Sequence, residues 1–531
     1  MADFVWWKHG VVYQVYPRSF QDTDGDGVGD LKGISERLDY LSWLGIDAIW
    51  MSPIYPSPMV DFGYDVSDYC SVDPLFGSLG EFDRLVASAH ALGIRVILDF
   101  VPDHTSDRHP WFVESRASRV NAKRDWYIWR DGKPDGSPPN NWLSQFGGPA
   151  WTRDAQTGQF YLHTFLREQP DLNWRNPNVR TAMYDVLRFW LDRGVDGFRV
   201  DAVWLLMKDA ELRDNPTNPN YRPTEAGIHR FLQVHSADQP ETHDAIAEMR
   251  RVLDQYNERV LIGEIYLPIE RLVTYYGKDL GGAHLPFNFQ LIHTAWTASA
   301  IAKLVTDYEA ALPPGGWPNW VLGNHDQPRI AARVTAAQAR IAAMLLLTLR
   351  GTPTMYYGDE LGIGAVAIPH EAMRDPWGKN EPGLGLSRDP SRTPFQWDAT
   401  PNAGFTNGRP WLPLDPDYPS CNVETLRRES TSILSFYRHL LSIRRQYPAL
   451  NSGTFQLVSV QGNVLVYERT SGKQRILVCL NFGGTSQPIS RQAFSGSTIL
   501  ASTNFDRSGE IADLVLRPNE GLTILMAGPQ G

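Results

Sequence analysis

The chain has 531 residues and a formal net charge of −10. That length exceeds the ~250 residues that one core organises, so two or three domains are expected. The acidic balance argues against nucleic acid and anionic membrane as partners, and no run reaches the ~20 apolar residues of a membrane span.

Met1 to Gly10 lacks a positive leader followed by an apolar run, so no signal peptide is expected. Val11 to Pro17, rich in Val and Tyr, predicts a first buried strand. The following loop places Asp22, Asp24, Asp26, Val28 and Asp30 at alternate positions, with Gly25, Gly27 and Gly29 among them. Such a loop can wrap oxygen ligands around one hard cation, with four carboxylates and the Val28 carbonyl as donors. Calcium suits that set first and magnesium second. A solvated acidic turn is the plain alternative, and the Glu that closes a full EF-hand loop is missing. No organic cofactor is expected.

Gly33 to Gly45 has helical apolar spacing, Asp47 to Pro53 predicts a second strand, and Glu81 to Gly93 another amphipathic helix. Arg95 to Val101 is a continuous apolar strand, as expected where both sheet faces are covered. The rhythm then breaks over Pro102 to about Trp174, a Trp-, Pro-, Gly- and Asn-rich stretch that reads as an irregular insertion. It resumes with a helix over Val179 to Arg193, closed by Gly194. Further strands are expected at Gly197 to Asp201, Arg259 to Glu264, His284 to Phe289, Trp320 to Asp326 and Thr352 to Gly358. Eight strands interleaved with helices predict an α/β fold, a closed (β/α)8 TIM barrel. A second excursion spans 359–422, and helical character returns from Ile433 to Gln446. Short β-like runs from Gly453 onward predict a C-terminal all-β sandwich. The expected boundaries are 1–102 with 175–451 for the barrel, 103–174 for the insertion and 452–531 for the tail. Cys70, Cys421 and Cys479 are too sparse for a disulfide framework or a zinc site, so a reducing, cytoplasmic location is expected.

In an extended segment, side chains at i and i+2 share a face. Arg199 and Asp201, in G-F-R-V-D, would therefore point together, and the arginine would hold the carboxylate ionised. Taken alone, the pair reads equally as a surface ion pair at a strand end. Glu264 and Asp326 stand at two further predicted strand ends, which in a barrel converge on one mouth. Three carboxylates there, with His104 and His325 nearby, suit hydrolysis rather than a structural layer. Crowding raises at least one carboxyl pKa, which supplies a proton donor at neutral pH. The 18 Trp, 21 Tyr and 22 Phe add a modest bias towards carbohydrate.

The strings Asp99 to Thr105, Gly197 to Asp201, Gly263-Glu264 and Asn324-His325-Asp326 resemble the motifs of the α-amylase family of glycoside hydrolases. Q-P-D-L-N at Gln169 to Asn173 is similar to the motif of its oligo-1,6-glucosidase and α-glucosidase branch. The resemblance implies retaining catalysis, with Asp201 as nucleophile and Glu264 as acid and then base, the pair about 5–5.5 Å apart. Asp326 would bind sugar hydroxyls and distort the ring. Arg199 would orient the nucleophile, His104 and His325 would grip hydroxyls, Tyr64 would stack on the sugar, and Phe165 would stand beside it. Asp61 and Arg392 would pair behind the first subsite and close it, making the enzyme exo-acting. Ala202, next to the nucleophile, accompanies α-1,4 activity in that branch, whereas Val accompanies α-1,6. The acidic loop resembles the branch's calcium loop.

The expected function is thus an α-glucosidase acting on small oligosaccharides, with hydroxyl acceptors as alternatives to water. A predominant glucosyltransferase, including sucrose- or trehalose-active relatives, and an oligo-1,6-glucosidase are the rivals. A catalytically dead relative would have lost a carboxylate, and all three are present. An endo-acting amylase is disfavoured by Asp61, Arg392 and Q-P-D-L-N. Oligomeric state is not encoded in any of these motifs.

Overall fold

The computed structural model describes residues 4–489, 496–510 and 514–527. Eight parallel strands form one sheet: β1 (Val12–Val15), β2 (Ala48–Met51), β3 (Arg95–Phe100), β4 (Gly197–Val200), β5 (Val260–Gly263), β6 (Leu285–Pro286), β7 (Asn319–Val321) and β8 (Thr352–Tyr356). Their order is β7-β8-β1-β2-β3-β4-β5-β6. A parallel bridge between Asn288, just past β6, and Trp320 of β7 closes the ring. The expected (β/α)8 barrel is therefore present.

Strand alternation divides the barrel's apolar residues into two sets. Val12, Trp50, Ile97, Val260 and Ile262 pack with one another in one cluster. Their neighbours Tyr13, Met51, Val96, Leu98 and Phe198 pack in the larger cluster with the surrounding helices. The helix Pro177–Asp192 leads into β4. Pro177 sits where a missing N–H costs nothing, and Asn176 caps the end by accepting from the Asn178 amide. Gly194, at φ +94°, turns the chain out of the helix in the left-handed region that favours glycine. β4 opens on Gly197 because a Cβ there would lie 2.5 Å from the Val260 carbonyl oxygen.

The stretch after β3 folds around a three-stranded antiparallel sheet, with Phe160–Leu162 between Trp129–Arg130 and Trp151–Arg153. Beyond the helix Ile433–Gln446, six strands form an antiparallel sheet. One face (Leu465, Tyr467, Ile476, Val478) joins the barrel's core. The other (Val466, Leu477, Ile524) is covered by Leu514 and Leu516, the latter in a two-stranded ribbon of Gln487–Pro488 with Val515–Leu516. Among the described residues the sandwich is thus uneven, six strands against two. Among the described residues no helix is long and apolar enough to cross a membrane.

Candidate active site

Asp201, Glu264 and Asp326 all border one cavity of about 430 Å³. Each follows a barrel strand by a few residues at most: Asp201 after β4, Glu264 after β5 and Asp326 beyond β7. Asp61, Tyr64, His104 and His325 line the same cavity, with Phe165 and Ala202. Arg199 and Arg392 lie behind its wall, both fully buried.

Arg199 is the hub. Its Nη1 donates to Asp201 Oδ1 at 2.6 Å and to Asp99 Oδ1 at 2.9 Å, and its Nη2 lies 2.7 Å from Glu264 Oε1. Arg199 and Asp201 share a face as the i, i+2 spacing predicts, and the same guanidinium brings Glu264 alongside, but its pull on Asp201 is outweighed by burial. The Ala202 amide donates to Glu264 Oε2 at 2.8 Å, because residue 202 takes a left-handed conformation with φ +44°. Burial pushes both the Asp201 and Glu264 carboxyls up against the pull of Arg199, Glu264 well above the ordinary range, with the Asp201 and Asp326 charges adding to the rise at Glu264. Asp326 goes the other way. Burial works against its charge, but the guanidiniums of Arg388, Arg392 and Arg199 together hold it well below the usual carboxylate range.

Tyr64 donates its hydroxyl to Asp99 Oδ2 at 2.9 Å, lies 2.7 Å from His325 Nε2 and stacks on that imidazole at 5.3 Å between centroids. Gln14 Nε2 lies 2.8 Å from His325 Nδ1. An amide donor there leaves His325 the Nε2–H tautomer, and burial keeps the ring neutral. Phe165 packs against His104 at 5.0 Å.

One expected pairing is corrected. Asp61 does not meet Arg392; its partner is Arg388, whose Nη2 donates to Asp61 Oδ1 at 2.7 Å. Arg392 instead donates to Asp326 Oδ1 and to the His325 carbonyl, both at 2.8 Å. The two arginines flank the turn Asp389–Ser391, and only Arg388 extends across the Phe146 ring towards Asp61. Arg388 also bonds Asp375 at 2.7 Å and Asp326 at 3.1 Å. Asp99, Arg388 and Asp375 were missed as site residues. Asp99 opens the string Asp99 to Thr105, and a second arginine four positions before Arg392 is the sequence signal for Arg388.

In the acidic loop, Asp22, Asp24 and Asp30 each bring a carboxylate oxygen within 4.8 Å of the others. This all-oxygen set fits a hard cation. Asp22 also takes the Gly25 and Gly27 amides at 2.8 and 2.9 Å and the Thr406 hydroxyl. Asp30 caps the helix Leu31–Glu36 through the Gly33 amide at 2.7 Å. Asp26 lies outside that cluster of three carboxylates. Its carboxylate takes the Val28 amide at 2.7 Å, in the turn made by Gly25 and Gly27 with φ +86° and +92°.

The family described as alpha amylase, catalytic domain, matches residues 14–453. The chain is 43% identical over 492 residues to the probable alpha-glucosidase of Rhizobium meliloti (strain 1021), covering 90% of this chain and 89% of that protein. It is 37% identical over 562 residues to the oligo-1,6-glucosidase of Parageobacillus thermoglucosidasius, with 97% and 98% covered. Among solved structures, the alpha-glucosyl transfer enzyme XgtA matches with a TM-score of 0.93 and 40% identity, over 99% of this chain and 100% of that one.

Proposed function

The chain belongs to the alpha-amylase catalytic-domain family, and on that footing we propose a retaining, exo-acting α-glucosidase that takes one glucose from the non-reducing end of short α-glucosides, α-1,4-linked first. The carrying observation is that one guanidinium, Arg199, holds Asp201 and Glu264 side by side at the cavity. With Asp201 Oδ1 fixed, its other oxygen attacks the anomeric carbon. The Glu264 proton passes to the glycosidic oxygen, the carbon–oxygen bond breaks, and glucose remains as an ester of Asp201. Esterification removes a negative neighbour from Glu264 and lowers its proton affinity. Glu264 then takes the proton of water or of an acceptor hydroxyl, whose oxygen attacks the same carbon and frees Asp201. Asp326, kept ionised, binds sugar hydroxyls and stabilises the oxocarbenium-like transition state. His104, His325 and Tyr64 define the first sugar pocket, and the Asp61–Arg388 pair shuts its far side, so a chain end enters and a chain middle does not.

Product profiles from maltose, isomaltose, sucrose and trehalose, with and without an alcohol acceptor, test this reading. Glucose should appear fastest from maltose. Isomaltose cleaved far faster would overturn the linkage, and no glucose from any substrate would overturn the activity. A second reading, net glucosyl transfer, is favoured by the likeness to XgtA and by the aromatic residues lining the cavity (Phe146, Trp204, Tyr266, Trp377), which suit an acceptor less polar than water. We also propose calcium, with magnesium as substitute, at Asp22, Asp24 and Asp30, where it would offset three clustered charges and tie the loop together. The free cysteines Cys70, Cys421 and Cys479 support a cytoplasmic location.

A further inference from the structure

Directly behind His104 lies a buried ion cluster that the reaction as described does not use. Lys208 follows the nucleophile by seven positions, and its side chain is 1% exposed. Its ammonium lies 2.7 Å from Asp103 Oδ1 and 2.8 Å from Asp171 Oδ2, and also donates to the Leu205 carbonyl. Three acceptors thus meet its three donors. Both carboxylates are fully buried.

The three charged residues come from three parts of the chain. Asp103 follows β3, Lys208 follows β4, and Asp171 belongs to Q-P-D-L-N at the end of the insertion. Asp171 also takes the Thr164 amide at 2.7 Å and pairs with His104 through a backbone bridge. Asp103 Oδ2 lies 3.3 Å from His104 Nδ1. On its other side, His104 Nε2 is 3.1 Å from the Tyr64 carbonyl and 3.1 Å from Gln169 Nε2. The groups facing this imidazole are therefore Asp103, Asp171 and Asp201, with Lys208 just beyond the first two. Hydrogen bonding and charge from Asp103, with further charge from Asp201 and Asp171, raise the His104 pKa against its burial.

We infer that Lys208 is a positioning residue: by holding Asp103 and Asp171 on one ammonium, it fixes His104 at the first sugar pocket and locks the insertion to the barrel at that point. Lys208 touches no cavity surface, so it acts only through its two partners. Without it, two buried carboxylates would confront each other beside the imidazole, and both His104 and the Gln169 segment would shift. The inference rests on the proposed glucosidase reading, because His104 is placed there as a sugar ligand.

The test uses full-length Lys208→Met, Lys208→Arg, Asp171→Asn and the pair Lys208→Met/Asp171→Asn. Each is measured for thermal melting, for the pH profile of kcat/KM on p-nitrophenyl α-glucoside, and for binding of 1-deoxynojirimycin by calorimetry. Lys208→Met should lower kcat/KM about 100-fold and weaken the inhibitor about tenfold, and a limb of the pH profile should shift. The double variant, with its charges rebalanced, should recover at least about fivefold over Lys208→Met, and Lys208→Arg should be intermediate. If Lys208→Met does not fold, Asp171→Asn and Lys208→Arg carry the test on the same readouts. The inference is overturned if the soluble variants keep kcat/KM and inhibitor binding within about twofold of wild type. It is equally overturned if activity follows melting temperature alone, with the pH profile unmoved and no recovery in the double variant. Wild-type protein that binds the inhibitor but releases no nitrophenol would instead count against the glucosidase reading, and inhibitor binding would still judge Lys208.

Discussion

At the residue scale, Arg199 and Asp201 were legible because a strand's two-residue period leaves them no choice of face. Asp61's partner was not legible, because Arg388 and Arg392 lie in an irregular loop where spacing fixes no direction. The correction has a measurable consequence. Arg388→Ala leaves Asp61 and Asp375 without their buried cation, so kcat/KM on maltose should fall about 100-fold, mostly through KM. Asp201→Asn should lower turnover on the order of 10⁴-fold with an unchanged melting curve, and retained activity in a clean preparation would remove it as nucleophile. The pH dependence follows from the directions of the shifts. A raised Glu264 pKa keeps the proton donor loaded at neutral pH, so kcat/KM should fall as pH rises through that value. It should also fall in acid, as Asp201 takes up a proton. With α-glucosyl fluoride, whose leaving group needs no proton, the alkaline limb should flatten. Ala202→Val places a β-branched residue at φ +44°, which costs on the order of 1–2 kcal/mol. Melting temperature should drop while the ratio of isomaltose to maltose cleavage rises.

At the element scale, the barrel strands were legible where apolar runs were long. Arg95–Phe100 matches its expected span almost residue for residue. β6 shrank to Leu285–Pro286, and β7 ends at Val321, well before the Asp326 that was expected to finish it. Proline cannot donate to a sheet ladder, and Gly323 and Asn324 favour turns over strand. The acidic loop was legible as a pattern, but not that its turn gathers Asp22, Asp24 and Asp30 most closely, since alternation says nothing of how the turn folds. Removing divalent ions with a chelator should lower the melting temperature by about 2–5 °C, and added calcium should restore it. Asp24→Asn, whose carboxylate is the exposed one of the three, should blunt that response.

At the scale of the whole molecule, the eight-strand count and the β tail were legible in the rhythm of the chain. The way the tail seats was not, because that depends on faces meeting across more than a hundred residues. Tyr467 meets Thr348 through their hydroxyls, and the buried Arg469 donates to the Thr348 carbonyl and, at 2.9 Å, to that of Gly453. A chain cut after 451 would expose apolar residues of the helix Ala336–Thr348, so it should be recovered as aggregate in size-exclusion chromatography. The ring itself is unevenly knit. From β7 through β8 and β1 to β5 it is a continuous ladder, whereas two-residue β6 meets β7 only at the Asn288–Trp320 bridge. A hoop with one loose stave breathes at that stave, so amide exchange should be fastest between 284 and 290 among the barrel strands. The loose joint lies between the tips bearing Glu264 and Asp326, beside Tyr266 and Gln327. If the ring opens there, the cavity would widen on the Glu264 and Asp326 side while the wall that bears Asp201 keeps its ladder.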